Sequence, residues 1–178
     1  MAALESSIRG EFSTYRRVEK VKSRLMRVLN FLLVVVTFGR MNRFMTDFIT
    51  TVGYTVYTPT TWPSWVLNDK LAFLRHERIH MRQARRYGRV LFGALYLFFP
   101  VPGLFAWARM KFEREAYRET LRAFYGYYGA DFLRDPACRA SIIAHFTSAQ
   151  YLWMWRWGRN GRWYDGVVAE LDRHGHRA

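Results

Sequence analysis

Residues 68–88 read NDKLAFLRHERIHMRQARRYG, and the interpretation of the whole chain turns on them. The run has no proline and no internal glycine. Asn68 or Asp69 is placed to cap a helix start, and Gly88 is placed to follow its last turn. One helix is therefore expected here. Inside it, His76-Glu77-Arg78-Ile79-His80 has the form H-E-x-x-H. Positions i and i+4 of a helix lie one turn apart on the same face, so the imidazoles of His76 and His80 can ligate one Zn²⁺. Glu77 then falls beside the open coordination position, where a general base for a bound water sits. The pattern points to zinc-assisted hydrolysis of a peptide bond. His76 and His80 are the expected metal ligands and Glu77 the expected catalytic base.

A catalytic zinc takes three protein ligands and keeps a fourth position for water, so a third ligand must come from elsewhere. Phe112-Glu113-Arg114-Glu115-Ala116-Tyr117 offers two carboxylates on a second expected helix, from about Trp107 to Tyr125. Glu113, Ala116 and Tyr117 share a face at i, i+3 and i+4, and Ala116 lets that face approach another helix closely. Glu115 points away from it. Glu113 is the favoured third ligand, with Glu115 the alternative. Gln83 extends the motif to H-E-x-x-H-x-x-Q, and is either a partner of a ligand or of the strand, or a surface residue. His145 lies on the apolar run Ser141–Phe146, either stabilising a developing oxyanion or sitting as a satisfied core histidine. Tyr117 is a further candidate for that electrophilic role. His174 and His176 lie in a polar tail and read as exposed. Cys138, the only cysteine, excludes an intrachain disulfide and a Cys-rich zinc cluster, and reads as a small buried hydrophobe.

HERIH followed well downstream by E-x-x-A on a second helix resembles the gluzincin branch of the zincin metallopeptidases, the small minimal-domain gluzincins most of all. It is also similar to the membrane-bound endopeptidases that process prenylated proteins, where the downstream element reads E-x-x-A-D. The likeness covers about Tyr54 to Phe124. It implies a zinc cofactor held by His76, His80 and Glu113, with Glu77 as general base and a peptide or protein as substrate. It also implies that the strand before the histidine helix runs along the cleft and pairs with that substrate. Tyr117 stands where the family has Asp, which removes one source of support for a histidine ligand.

The expected fold is α+β and mostly helical: a zincin-like domain with a short sheet, the H-E-x-x-H helix and a second helix supplying a glutamate. A chain of 178 residues is long enough for one domain with a proper core. Residues 1–43 read as an N-terminal arm and helix, 44–129 as the zincin-like core, and 130–178 as a helical, aromatic-rich extension. In more detail, residues 1 to about 15 are expected as a loose arm, followed by a helix broken at Gly39. That helix is either a core helix or an amphipathic one on a membrane surface. Thr50–Thr58 is β-branched and aromatic and stops at Pro59, so it reads as a strand. Asp135-Pro136 opens a helix to about Ser148, with Asp135 as cap and Pro136 in the first turn. Tyr151–Tyr164 is densely aromatic, and a closing helix covers about Gly166 to Arg173.

Composition is 51% hydrophobic and 18% aromatic, too apolar for a disordered chain. With 28 Lys+Arg against 14 Asp+Glu the formal charge is +14, which favours anionic neighbours or simply a solvated basic surface. No nucleic-acid motif is present, and no specific nucleic-acid partner is expected. Val90–Ala108 is uncharged and contains Pro100-Val101-Pro102-Gly103. A single crossing of a bilayer there would separate His76 and His80 from Glu113, and an interior proline costs a helix about 3 kcal/mol. A folded-back hairpin over residues 90–108, packed in the core, dipped into a membrane interface or re-entrant, is expected instead. The N-terminus lacks the form of a signal peptide. A cytoplasmic protein, peripheral to the membrane if that hairpin touches it, is the expectation. The alternatives to a peptidase are a zinc-stabilised protein without hydrolytic activity, and a basic membrane-surface or nucleic-acid binder in which HERIH is accidental.

Overall fold

Leu4, Ile8 and Phe12 recur at i, i+4 and i+8, a helical stripe within a polar stretch. In the computed structural model, which describes residues 1–97, 104–147 and 159–175, this segment is helix α1 (Ala2–Glu11) and not a loose arm. Ile8, Phe12 and Tyr15 are buried with Val56, Trp62, Leu74 and Met81, and Leu4 packs against the same cluster. Burial of that stripe supplies what the local sequence lacks in helix propensity.

The chain divides into two compact units, Met1–Gly93 and Ala94–Ala178. In the first, the continuous helix expected from about Arg16 to Phe38 is absent. Arg16–Glu19 is strand β1, Lys20–Lys22 is a single 3₁₀ turn, and only Arg24–Val36 is helical, as α2. Ser23 caps α2 by accepting a hydrogen bond from the Met26 N–H at 3.3 Å. The expected single strand at 50–58 is a hairpin, β2 (Thr50–Val52) and β3 (Thr55–Thr58). Gly53, at φ 61°, takes the first position of its two-residue turn, where only glycine is unstrained. The sheet order is β1-β3-β2, with β1 parallel to β3 (Arg16 opposite Thr55) and β2 antiparallel to it. A short 3₁₀ turn (Trp62–Ser64) leads into α3 (Leu67–Tyr87), the expected motif helix. Its N-cap is Val66 and has no side-chain cap bond, so Asn68 and Asp69 lie inside the first turn. Gly88, at φ 83°, ends it as expected.

The apolar run divides between α4 (Arg89–Leu97) and the start of α5 (Leu104–Tyr128). Its tip, residues 98–103, lies outside the described residues, as does most of the aromatic segment at 148–158. Among the described residues no helix is long and apolar enough to cross a membrane. In the second unit α5 continues through Gly126 and ends before Gly129, at φ 84°. A short helix not expected from sequence, α6 (Ala130–Arg134), follows. Then come α7 (Pro136–Thr147) and α8 (Arg159–Gly175). Asp135 Oδ1 accepts the Ala137 N–H at 2.6 Å, the capping expected of Asp-Pro. Tyr164 donates its hydroxyl proton to the Leu133 carbonyl at 2.7 Å, and Arg139 holds Asp165 through two bonds of 2.8 and 3.0 Å. These bonds tie α8 to α6 and α7.

Candidate metal centre

The one-turn spacing of His76 and His80 on α3 sets their rings 4.8 Å apart between centroids. Their Nε2 atoms approach to 3.0 Å. The other ring nitrogen of His80, Nδ1, lies 2.9 Å from Gln83 Oε1. A glutamine carbonyl only accepts, so this contact keeps the proton on Nδ1 and turns the Nε2 lone pair toward His76. Gln83, open between a site role and a surface role in the sequence, is buried against His80. The neighbouring aromatics Phe73 and Phe92 stand 6.3 Å from His76 and 6.2 Å from His80 between centroids.

Glu113 is brought to the same place. One ligand atom each from His76, His80 and Glu113 lie within 4.8 Å of one another. A tetrahedral zinc with bonds of about 2.0–2.2 Å spaces its donors about 3.3–3.6 Å apart, a few tenths of an ångström more than the 3.0 Å between the two Nε2 atoms. All three residues are buried at 5–6% exposure, and so is Glu77. On α5 the face carrying Glu113, Ala116 and Tyr117 is buried, while Glu115 is exposed. The side chain of Glu115 is not in the group.

His145 and Tyr117 stand together, with ring centroids 5.1 Å apart, Tyr117 one turn beyond Glu113 on α5. The His145 Nδ1–H donates to the Ser141 carbonyl at 2.7 Å within α7, and Tyr117 also packs on Phe146. His145 is half-buried and Tyr117 buried.

Two features of the site were not read from the sequence. Lys20, from the turn after β1, is wholly buried. Its Nζ donates to the Phe44 carbonyl at 2.7 Å and sits 3.5 Å above the Phe44 ring. Burial pushes its pKa down to about 7, opposed by the negative charge of Glu77. A lysine in a polar segment carries no sequence signal for this position. The second feature corrects the role implied for the strand before α3. β3 is the central strand, with β1 on one edge and β2 on the other, so neither of its edges is open to a substrate. The cause is the N-terminal segment, which contributes a strand where a helix was expected.

The outer face of α3 is held separately. Arg78, Arg82 and Arg85, at i, i+4 and i+7, converge on Glu11 of α1 at 2.6, 2.7 and 3.2 Å. Hydrogen bonding from Arg82 is the leading effect, burial opposes it, and hydrogen bonding from Arg78 with the charge of both arginines brings the Glu11 pKa down to about 2. Comparison with known proteins gives no matching family, no similar curated protein and no similar solved structure.

Proposed function

We propose that this protein is a zinc-dependent peptidase built on His76, His80 and Glu113. The observation that carries the reading is the convergence of two imidazoles and a carboxylate within 4.8 Å, with Glu77 next to the first ligand in sequence and equally buried. Two nitrogens and one oxygen from neutral imidazoles and a carboxylate suit zinc by donor type, and three protein donors leave a fourth position. Zinc, when bound, lowers the pKa of water and polarises a scissile carbonyl. Glu77 takes the proton of the attacking water and delivers it to the leaving amine, so the C–N bond breaks after the C–O bond has formed. Gln83 holds His80 in the tautomer that offers Nε2. Tyr117, one turn beyond Glu113 on α5, is the candidate to donate toward the developing oxyanion, and His145, whose ring packs against it, joins it only as an imidazolium, since its Nδ1–H is given to Ser141.

The test is Glu77→Gln assayed on labelled denatured casein and on a mixed-sequence peptide pool. Hydrolysis should fall by about 10²–10⁴-fold while zinc content is unchanged. A variant that cleaves at the wild-type rate contradicts the assignment. A second reading, a closed zinc centre that stabilises the fold without hydrolysis, is favoured by one observation: both edges of β3 are occupied. Full zinc loading of the wild type with no cleavage of either substrate would select it.

A further inference from the structure

A helix of a water-soluble domain ordinarily turns its apolar stripe to the core. Helix α2 does the reverse. At 100° per residue Leu25, Val28, Phe31, Leu32, Val35 and Val36 fall within one sector of about 140°. These six are 51–66% exposed, while Met26 on the opposite face is fully buried. Phe38 follows at 94% exposure, held outward by a left-handed backbone at φ 51°. Contiguous exposed apolar surface of this kind marks a docking face.

The surrounding charge identifies the occupant. Residues 20–46 contain no Asp or Glu. Exposed Lys22, Arg24 and Arg27 stand at one end of α2, and exposed Arg40 and Arg43 follow the other. Lys22 pairs with Glu19 and Arg43 with Asp47, both as exposed surface pairs that solvent screens. A second copy of this chain would bring the same cations against themselves, on molecules each of formal charge +14. An anionic lipid surface is complementary in both respects. Its acyl boundary accepts the apolar sector, and its headgroups accept the arginines. With 13 residues α2 is about 20 Å long, too short for a hydrocarbon core of about 30 Å, so it would lie in the plane of the interface.

We propose that α2 and Phe38 form a docking face for anionic bilayers, independent of whether the metal centre hydrolyses anything. The experiment is vesicle co-sedimentation of the full-length protein, using phosphatidylcholine alone and phosphatidylcholine with one quarter phosphatidylserine. Binding is expected on the anionic vesicles, weakening between 50 and about 500 mM salt and near absent on the neutral ones. Phe31→Ser/Val35→Ser leaves the net charge unchanged at exposed positions, and should lower the partition coefficient at least tenfold. Arg24→Gln/Arg27→Gln should weaken binding and flatten its salt dependence, and serves as the second arm if the first variant does not fold. Equal partitioning of both variants and wild type would overturn the proposal, because it would assign binding to net charge elsewhere. Absence of vesicle binding, or self-association in solution that Phe31→Ser/Val35→Ser abolishes without vesicle binding, would also overturn it.

Discussion

A histidine can give a metal one ring nitrogen only if the proton is kept on the other, and at His80 Gln83 Oε1 holds it at 2.9 Å. Gln83→Leu removes that acceptor inside a buried site, and zinc affinity measured by competition with a chromophoric chelator should fall about 10–100-fold. Unchanged affinity would show that packing alone orients the ring. Lys20 gives a pH signature. Its folded pKa, about 7, lies below its ordinary value of 10.5. Between those limits the unfolded chain holds the extra proton, so stability should rise as pH rises from about 7 toward 10.5, and be insensitive to this group below 7. Lys20→Met should remove that slope from urea midpoints recorded between pH 7 and 10, and retention of the full slope would assign it to another group. These residues also show how far single positions could be read in advance. His76, Glu77 and His80 announce themselves by spacing, and Glu113 by the face it shares with Ala116 and Tyr117. Lys20 could not be read, because its partner in the fold, Phe44, is far away in sequence.

At the scale of elements, α1 is fastened to α3 by one carboxylate under three arginines. The Glu11 pKa is depressed to about 2, so its contribution is fully present above its ordinary value near 4.5 and is lost as pH falls from there toward 2. Glu11→Gln should cost about 1–2 kcal/mol of unfolding free energy at pH 7, an amount reduced by solvent screening of the arginines. The difference from wild type should close below pH 3. A difference that persists at pH 2 would mean the loss is one of packing. Which elements were legible follows the same physics. α3 has a long run without breakers and a glycine stop, and α7 has its Asp-Pro start. The stripe of α1 was present but diluted by polar neighbours. β1, with the sequence RRVE, has little strand propensity, and its conformation comes from pairing with β3. That pairing changed the reading of β3 from a substrate-facing strand to a central one.

For the molecule as a whole, a metal held by the folded chain alone adds stability by mass action, about 4 kcal/mol at a free concentration 1,000-fold above its Kd. Chelation should therefore lower the thermal midpoint of the wild type and leave that of Glu113→Ala unmoved, as read by scanning calorimetry with and without chelator. Whether His76, His80 and Glu113 hold a metal together is read from zinc content per chain by elemental mass spectrometry. Wild type, His80→Ala, Glu113→Ala and Glu115→Ala would be compared after dialysis against trace-metal-free buffer and one round of zinc reloading. One zinc per chain is expected in the wild type and in Glu115→Ala, and its loss in His80→Ala and Glu113→Ala. A wild type that retains no zinc, or a Glu113→Ala protein that retains it fully, would contradict this ligand set.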